Sequence, residues 1–170
     1  MDGLPFDDDT FDLVQLRAFG LVFSPDQWPG ILKEIYRVTR PGGCVQLMED
    51  DGDEYIRSCH ERLMKTMLEF DLDPLVCIKL GQYLKDSGFS VIQEEKRRVD
   101  LSKDLLAREF LSVIEQTVDA CQSWIMIQLN HKDTNEYLTW KDEYVTHRRE
   151  TSESVWHAVA GRKCTNDDIS

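Results

Sequence analysis

Two short stretches of this sequence decide its fold: LPFDDDTFDLVQL at residues 4–16 and EIYRVTRPGG at residues 34–43. In the first stretch, the apolar run around the single polar Gln15 predicts a short strand that is buried on both faces. The acidic residues before that run predict a turn. In the second stretch, the closing Pro-Gly-Gly triplet predicts the end of a helix. The run VQLM that follows at residues 45–48 predicts a second short strand.

A helix is predicted between these two strands. Its capping residue is either Ser24, which has Gln27 three residues later as in a capping box, or Asp26. A short crossover helix between two apolar strands is typical of the βαβ unit of a parallel sheet, with a right-handed crossover. The apolar face of the helix follows helical spacing. Its residues are Trp28, Ile31, Leu32, Ile35 and Val38.

The rest of the chain predicts two more strands among several helices. Residues 89–99 form a strand whose charged second half suits a sheet edge, and residues 155–164 form the last strand. Ser102 and Thr134 are the predicted caps of two later helices. This order of elements indicates an α/β architecture. The predicted helices cover about residues 54–70, 75–87, 102–129 and a stretch beginning at Thr134.

The composition predicts a single compact globular unit that needs no metal or disulfide to fold. The chain has 170 residues, of which 41% are hydrophobic, and this length can bury a sizeable core. Its formal net charge is −12, so it gains no electrostatic attraction to nucleic acid phosphates or anionic lipids. We therefore expect neither nucleic acid nor a membrane as a partner. No secretory leader is predicted, and no stretch approaches the roughly 20 apolar residues of a membrane span.

The spacing of the cysteines predicts no metal site and no disulfide framework. The count of five is odd, and no two cysteines form a CxxC pair. Reduced and buried thiols are expected instead, as in an intracellular protein. The chain is therefore predicted to be cytoplasmic, with the nucleus as the alternative compartment. The cysteines are Cys44, Cys59, Cys77, Cys121 and Cys164.

The two deciding stretches resemble a pair of motifs in the class I S-adenosylmethionine-dependent methyltransferases. LPF, followed by polar residues and FDLV, resembles the segment that opens the fourth strand of that family. EIYRVTRPGG resembles the family's E-x-x-R-V-L-K-P-G-G, and both segments keep the family's order and spacing. Within this family, the two motifs most resemble those of the type 11, ubiquinone-biosynthesis-like enzymes and of the related fungal regulators of secondary metabolism. Weaker likenesses at residues 80–89 and 160–163 extend the resemblance over most of the chain.

The resemblance implies a partial Rossmann-like methyltransferase fold, an α/β sheet built from strands 4, 5, 6 and 7 with flanking helices. The family's sheet has the order 3-2-1-4-5-7-6, and strands 1–3 would be absent from this chain. Residues 1–170 would then form a single truncated methyltransferase domain. Within it, residues 101–151 resemble a helical insertion that could cap a substrate pocket.

The cofactor implied by the resemblance is S-adenosylmethionine, which the family holds at the carboxyl ends of strands 1 and 4. The signature of that site is a glycine-rich turn after strand 1. The nine glycines of this chain never form GxGxxG or a close variant, so binding by this chain alone is expected to be undetectable. By the family's pattern, the residues on the cofactor side are Asp2, Leu4, Leu16, Arg17 and Ala18.

The catalytic residue stays unassigned, because methyl transfer from a sulfonium depends on orientation more than on an acid or base. Arg17 is either a cofactor contact or an exposed loop arginine that pairs with a carboxylate. The candidates for a substrate pocket could equally be core or surface residues. These candidates are Phe19, Phe23, His60, Trp124, Trp140 and Tyr144.

The resulting functional prediction is methyl transfer to an oxygen or carbon atom of a small molecule. Nitrogen is disfavoured as the acceptor, because LRAFG at residues 16–20 does not resemble the NPPY-type loop of nitrogen methyltransferases. The alternative is a non-catalytic interaction protein or pseudoenzyme that pairs with a partner, or with itself, through the exposed strand 4 edge at residues 12–17. A dehydrogenase is disfavoured, since it needs the same glycine-rich turn. This chain alone is expected to be inactive.

Overall fold

The computed structural model describes residues 3–20, 22–51, 68–69, 71–73, 75–103, 107–151 and 153–165. The strands among them are β1 (Phe11–Arg17), β2 (Thr39–Asp50), β3 (Phe89–Asp100) and β4 (Glu153–Lys163). The helices are α1 (Trp28–Val38), α2 (Leu80–Asp86), α3 (Ala107–Ala120), α4 (Gln122–Leu129) and α5 (Thr134–Thr151), and a 3-10 turn covers Val76–Ile78. None of the described helices combines the length and the apolar character of a membrane span.

The four strands form one sheet in the order β1-β2-β4-β3. β1 and β2 are parallel, with Val14 opposite Val45, so α1 makes the predicted crossover between them. β2 and β4 are antiparallel, with Val45 opposite Gly161. This is the order that the resemblance implies for strands 4, 5, 7 and 6, and the mixed α/β, Rossmann-like prediction is confirmed. β3 takes the edge position that its charged second half predicts.

The start of β2 differs from the prediction. The strand begins at Thr39, directly after α1, and includes the Pro-Gly-Gly triplet that was expected to separate the two elements. The register explains the difference, because Phe11 lies opposite Thr39 whereas Leu13 lies opposite Cys44. The residues between Thr39 and Cys44 therefore form a bulge in the ladder. Gly42 adopts a φ of 78° there, a backbone conformation that favours glycine.

Neither predicted residue caps α1. The helix begins at Trp28, with Gln27 before it and no side-chain hydrogen bond to the helix amides. The reason is that only half of the capping box forms. The side-chain oxygen of Gln27 accepts a hydrogen bond from the backbone N–H of Ser24 at 3.0 Å, while neither Ser24 nor Asp26 caps the helix.

The long helix predicted over residues 102–129 is wrong in its extent. The structure has two helices there, α3 and α4, and Cys121 lies between them with φ −95° and ψ 8°. No glycine or proline marks this break, so the sequence carries no signal for it. Ser102 lies in a turn and its hydroxyl donates to the carboxylate of Asp100, while residues 104–106 lie outside the described residues, so its role as a cap stays a prediction. The helix predicted over about residues 54–70 lies outside the described residues apart from 68–69.

The cap of α5 is one residue earlier than predicted. The carboxylate of Asp133 accepts hydrogen bonds from the backbone N–H groups of Asn135 at 2.8 Å and Glu136 at 3.0 Å. These amides have no partner within the helix, so Asp133 satisfies them in the manner of a cap. Thr134 is therefore the first residue of α5 and not its cap.

The chain divides into two compact units, and residues 1–51, 67–97 and 156–170 make up the first. Its core lies between the sheet and the helices of this unit, with Trp28 fully buried at its centre. The ring of Trp28 meets Phe23 edge to face at 5.6 Å and stacks on Tyr83 at 5.8 Å. Gly161 matters for this packing, since a Cβ there would lie 3.0 Å from the Cβ of Phe89. The buried residues of this cluster are Trp28, Ile31, Leu32, Ile35, Val45, Leu47, Val76, Leu80, Leu84, Phe89 and Val159.

The second unit comprises residues 52–66 and 98–155, and its described part is mainly helical. Tyr137 is almost fully buried, and its hydroxyl lies 3.2 Å from both the carbonyl oxygen of Val118 and the carboxylate of Asp119. Burial, followed by the bond to Asp119, raises the pKa of Tyr137 to about 12. The buried residues of this cluster are Val118, Ile125, Tyr137, Tyr144 and Val145.

Candidate functional site

The carboxyl ends of β1 and β2 meet at one edge of the sheet, because the two strands are parallel and Arg17 lies opposite Met48. The chain leaves β1 through Ala18, whose φ is 59° and whose N–H donates to the carbonyl oxygen of Met48 at 2.9 Å. In open α/β sheets, ligands bind at this kind of edge. The predicted cofactor residues Leu16, Arg17 and Ala18 therefore lie where the resemblance implies a ligand.

Glu49 fixes the loop after β1. Its side chain accepts backbone hydrogen bonds from Phe19 at 2.8 Å and from Gly20 at 3.0 Å, although the residue is only 4% exposed. Burial raises the pKa of Glu49, and the two amides oppose that shift. In sequence, an acidic residue directly after an apolar run is typical of a turn and does not indicate these two hydrogen bonds. The only sequence feature that could have drawn attention to Glu49 is its position directly after the last apolar residue of β2.

Arg17 is exposed, and its guanidinium carbon lies 4.9 Å from the centre of the Trp156 ring. This is a cation–π contact between β1 and β4, and it holds the guanidinium near the sheet. The pairing of Arg17 with a carboxylate, one of the two predictions for this residue, stays a prediction. Whether Arg17 also contacts a cofactor stays a prediction.

The backbone of Leu4 is hydrogen-bonded to two charged residues of α1, Glu34 and Arg37, which belong to the second motif. The Glu34 carboxylate accepts the N–H of Leu4 at 2.9 Å, and Arg37 donates to the Leu4 carbonyl at 3.0 Å. Arg37 also donates to the carbonyl of Phe6 and to the carboxylate of Asp8, each at 2.8 Å. The hydrogen bonds from Arg37, with that from Leu4, lower the pKa of Glu34. The E-x-x-R motif therefore holds the LPF segment in place, a role that sequence reasoning missed.

The two predicted pocket phenylalanines lie side by side in the first unit. Phe19 and Phe23 stack at 5.0 Å between ring centres, and both pack against the buried cluster around Trp28. Core packing accounts for these contacts, as the alternative prediction had it. A role in substrate binding stays a prediction for both residues.

The predicted pocket residues of the second unit lie close together. The rings of Trp140 and Tyr144 stack at 5.3 Å with an angle of 9° between their planes. Trp124 packs against the same buried cluster. The two remaining site predictions, Asp2 and His60, lie outside the described residues.

The described residues at the β1–β2 edge do not by themselves fit S-adenosylmethionine. Ribose hydroxyls call for a carboxylate acceptor, and the Glu49 carboxylate is buried and already engaged by two amides. Space is also limited at Gly20, where even a Cβ would lie 2.7 Å from a methyl group of Val76. Arg17 and Ala18 are exposed after β1, and a cofactor contact by either residue stays a prediction.

Comparison with known proteins agrees with the motifs. Residues 1–69 match the model of the ubiE/COQ5 methyltransferase family. A demethylmenaquinone methyltransferase of Bacillus subtilis is 51% identical over 51 residues, which are 30% of this chain and 21% of that protein. A ubiquinone/menaquinone biosynthesis C-methyltransferase of Geotalea daltonii is 30% identical over 93 residues, 55% of this chain and 36% of that protein. The chain thus spans about a fifth of the Bacillus relative and about a third of the Geotalea relative.

The fold has close counterparts among solved structures. A SAM-dependent methyltransferase of Methanosarcina mazei covers 96% of this chain, and 64% of that protein is covered in return. The TM-score is 0.55 at 13% sequence identity, so this likeness concerns the fold alone. Residues 1–69 are therefore similar in sequence to the ubiE/COQ5 methyltransferase family, and the described fold resembles that of a SAM-dependent methyltransferase.

Proposed function

We propose that this chain takes part in methyl transfer from S-adenosylmethionine to a carbon or oxygen atom of a small molecule. The match of residues 1–69 to the ubiE/COQ5 family is the observation that carries the proposal. The names of the two curated relatives, a demethylmenaquinone methyltransferase and a ubiquinone/menaquinone C-methyltransferase, favour carbon in a quinone-like acceptor.

The contribution of this chain to such a reaction is positioning. An in-line displacement needs its reacting atoms aligned, and a rigid wall supplies part of that alignment. Glu49 fixes the loop at residues 18–20 through two backbone hydrogen bonds. Arg17 presents a positive charge at the same edge and suits a ligand anion there. No described residue needs to act as a general acid or base in this proposal.

We assign the other side of the proposed cofactor site to a further strand that pairs with β1. In the described part of the chain, β1 has a neighbouring strand on one side only. The side chain of Leu13 is 61% exposed, so apolar surface is uncovered on one face of this strand. The resemblance places the glycine-rich turn next to strand 4. A longer form of this chain, or a partner, would supply that strand and turn.

Calorimetric titration with S-adenosylmethionine tests this proposal. The chain as it stands should show no binding. A fusion that places the preceding part of the Bacillus subtilis relative before Gly3 should bind one equivalent. In that fusion, Arg17→Ala should weaken binding about tenfold through loss of a charged contact. Arg162→Ala, at an exposed residue of β4 that lies opposite Cys44 of β2, should leave binding unchanged. A folded fusion that binds no cofactor contradicts the proposal.

A second candidate function is pairing of two copies through β1 without catalysis. In the described part of the chain, β1 pairs with a strand on one side only, and Leu13 is exposed. Both features favour this candidate, because an exposed edge strand has backbone groups that can pair with a strand of another chain. Sedimentation velocity should then show dimers that Leu13→Lys converts to monomers. Leu138→Lys, at a residue 52% exposed on α5, is the matched control and should leave the dimers intact. A chain that stays monomeric at all concentrations excludes this candidate.

We also propose that the second unit contributes to acceptor binding. Trp140 is half-buried and stacks on the buried Tyr144, and the accessible part of its aromatic ring supports this idea, since such a ring suits a flat acceptor. In an active fusion, Trp140→Ala should raise the KM for the acceptor with little change in cofactor affinity. Ile127→Ala, at a residue 74% exposed on α4, is the control. An unchanged KM for Trp140→Ala contradicts this assignment.

A further inference from the structure

Three side chains with different metal-binding atoms meet in the first unit. Asp51 directly follows β2, Cys77 lies in the 3-10 turn, and His157 lies on β4. Their ligand atoms all lie within 4.8 Å of one another. The Nε2 atom of His157 is 3.2 Å from one carboxylate oxygen of Asp51, and the Sγ atom of Cys77 is 3.8 Å from the other.

The cluster is well shielded from water. Cys77 is 2% exposed, and the side chains of His157 and Asp51 are 14% and 10% exposed. The three residues come from distant parts of the sequence, with 26 positions between Asp51 and Cys77 and 106 between Asp51 and His157. This separation is why the sequence shows no metal-binding spacing. The tertiary fold alone creates the cluster.

The distances suit a small tetrahedral ion. Zinc lies about 2.0–2.3 Å from nitrogen, oxygen and sulfur ligands, so two ligands at a tetrahedral angle are roughly 3.3–3.8 Å apart. Two distances are close to that range: 3.2 Å from Nε2 of His157 to one carboxylate oxygen of Asp51, and 3.8 Å from Sγ of Cys77 to the other oxygen. Three protein ligands leave a fourth position for water or another ligand, as in zinc sites that retain an open coordination position.

The types of donor atom select the class of ion. Mg²⁺ and Ca²⁺ prefer oxygen ligands, whereas a thiolate and an imidazole together favour zinc and its d-block neighbours. We propose that Asp51, Cys77 and His157 bind a divalent d-block cation of the zinc class. This inference is independent of methyl transfer, and its test does not depend on S-adenosylmethionine.

Lys96 is the competitor of such an ion. Its ammonium lies 3.0 Å from the Asp51 carboxylate and is 50% exposed, so it can leave towards solvent when a cation arrives. A plain network of Lys96, Asp51 and His157 is the alternative interpretation of the same contacts. The two interpretations differ in what happens when Lys96 is removed. A metal site gains affinity, because a competing positive charge is lost, whereas a purely structural network only loses a contact.

Titration of the full chain with cobalt(II), followed by absorption spectroscopy, tests the proposal. Cobalt should produce a thiolate-to-metal charge-transfer band and intense visible ligand-field bands. Cys77→Ser should abolish the charge-transfer band, and His157→Gln should weaken cobalt affinity at least about tenfold. Cys164→Ser, at a cysteine that forms no disulfide among the described residues, is the matched control and should change neither. Lys96→Gln should strengthen binding about two- to fivefold, the range expected for loss of an exposed ion pair.

Zinc and thermal unfolding supply an independent readout. Zinc should raise the Tm of the unmodified chain and of Lys96→Gln, because an ion that binds the folded state stabilises it. It should not raise the Tm of Cys77→Ser, whose folding is checked by circular dichroism without metal. The absence of a cobalt charge-transfer band in the folded chain overturns the proposal. A band that persists in folded Cys77→Ser overturns it equally, because the thiolate would then come from another cysteine.

Discussion

The guanidinium of Arg37 donates a hydrogen bond to the backbone carbonyl of Leu4 at 3.0 Å, across 33 positions of sequence. The same guanidinium contacts Glu34, which in turn accepts the N–H of Leu4. The two motifs that carry the family resemblance are therefore joined physically. This contact explains why an E-x-x-R sequence on a helix accompanies an LPF segment before a strand.

Arg37→Lys should free the LPF segment. Lysine offers one ammonium in place of a planar fork, so it cannot reproduce the bonds to Glu34 and to the carbonyl of Leu4 together. Hydrogen exchange of the Leu4 amide should therefore become faster. Arg40→Lys, at an exposed arginine two residues beyond α1, should leave that amide protected. Equal exchange in the unmodified chain and Arg37→Lys would show that Glu34 alone holds the segment.

Glu49→Ala should destabilise the first unit by about 2–3 kcal/mol. The change leaves the N–H groups of Phe19 and Gly20 without their acceptor, and Gly20 is buried. Glu49→Gln keeps one acceptor oxygen and should cost roughly 1 kcal/mol. Urea unfolding followed by circular dichroism gives both free energies. Glu143→Ala, at an exposed residue of α5, is the control and should be neutral. Equal losses for the alanine and glutamine variants would contradict the role of the Glu49 side-chain oxygens as hydrogen-bond acceptors.

Trp28 combines full burial with a polar atom that has no partner among the described residues. Its Nε1–H donates no hydrogen bond to a described residue, and the side chain is 0% exposed. Trp28→Ala should cost about 3–5 kcal/mol, since it empties the centre of the core. Trp28→Phe should cost less than about 2 kcal/mol, because it removes a desolvated N–H while it keeps most of the ring. Urea unfolding followed by far-ultraviolet circular dichroism compares the two. Similar losses for both variants would indicate that the indole N–H is hydrogen-bonded.

The local elements of the fold could be predicted because their signals are local. The apolar runs of β1 and β2 and the helical stripe of α1 predict a parallel βαβ unit. The predicted burial of β1 on both faces is wrong, because Leu13 is 61% exposed. The break at Cys121 could not be predicted, because no glycine or proline accompanies it. The bulge at the start of β2 depends on the register with Phe11, which is a tertiary property.

The candidate site was predictable only where it coincides with the motifs. Arg17 ends β1 and Ala18 follows it, as the motif predicts, while their contact with a cofactor stays a prediction. Glu49 was missed, since an acidic residue after a strand usually marks a turn and gives no hint of its two amide partners. The cluster of Asp51, Cys77 and His157 was missed for a stronger reason. Its members approach one another only after the sheet and the 3-10 turn have formed.

Asp100, the last residue of β3, should titrate far below an ordinary aspartate. The hydroxyl of Ser102 donates to its carboxylate at 2.5 Å, the N–H of Ser102 at 2.9 Å and the ammonium of Lys103 at 3.1 Å. These bonds, led by the Ser102 hydroxyl, lower the pKa of Asp100 to about 2. Because the folded pKa is below the unfolded one, the stabilisation is present above the unfolded pKa, about 3.9. It is lost as the pH falls through about 2.

A carbon-detected NMR titration of the Asp100 carboxyl group measures this pKa directly. Ser102→Ala should raise the pKa towards its ordinary value, because it removes the strongest of the three bonds. Lys103→Met should raise it less, since the ammonium contributes less than either bond from Ser102. The order of the two shifts is the discriminating result. A larger shift in Lys103→Met would mean that charge, and not the hydroxyl bond, stabilises the ionised carboxylate at the end of β3.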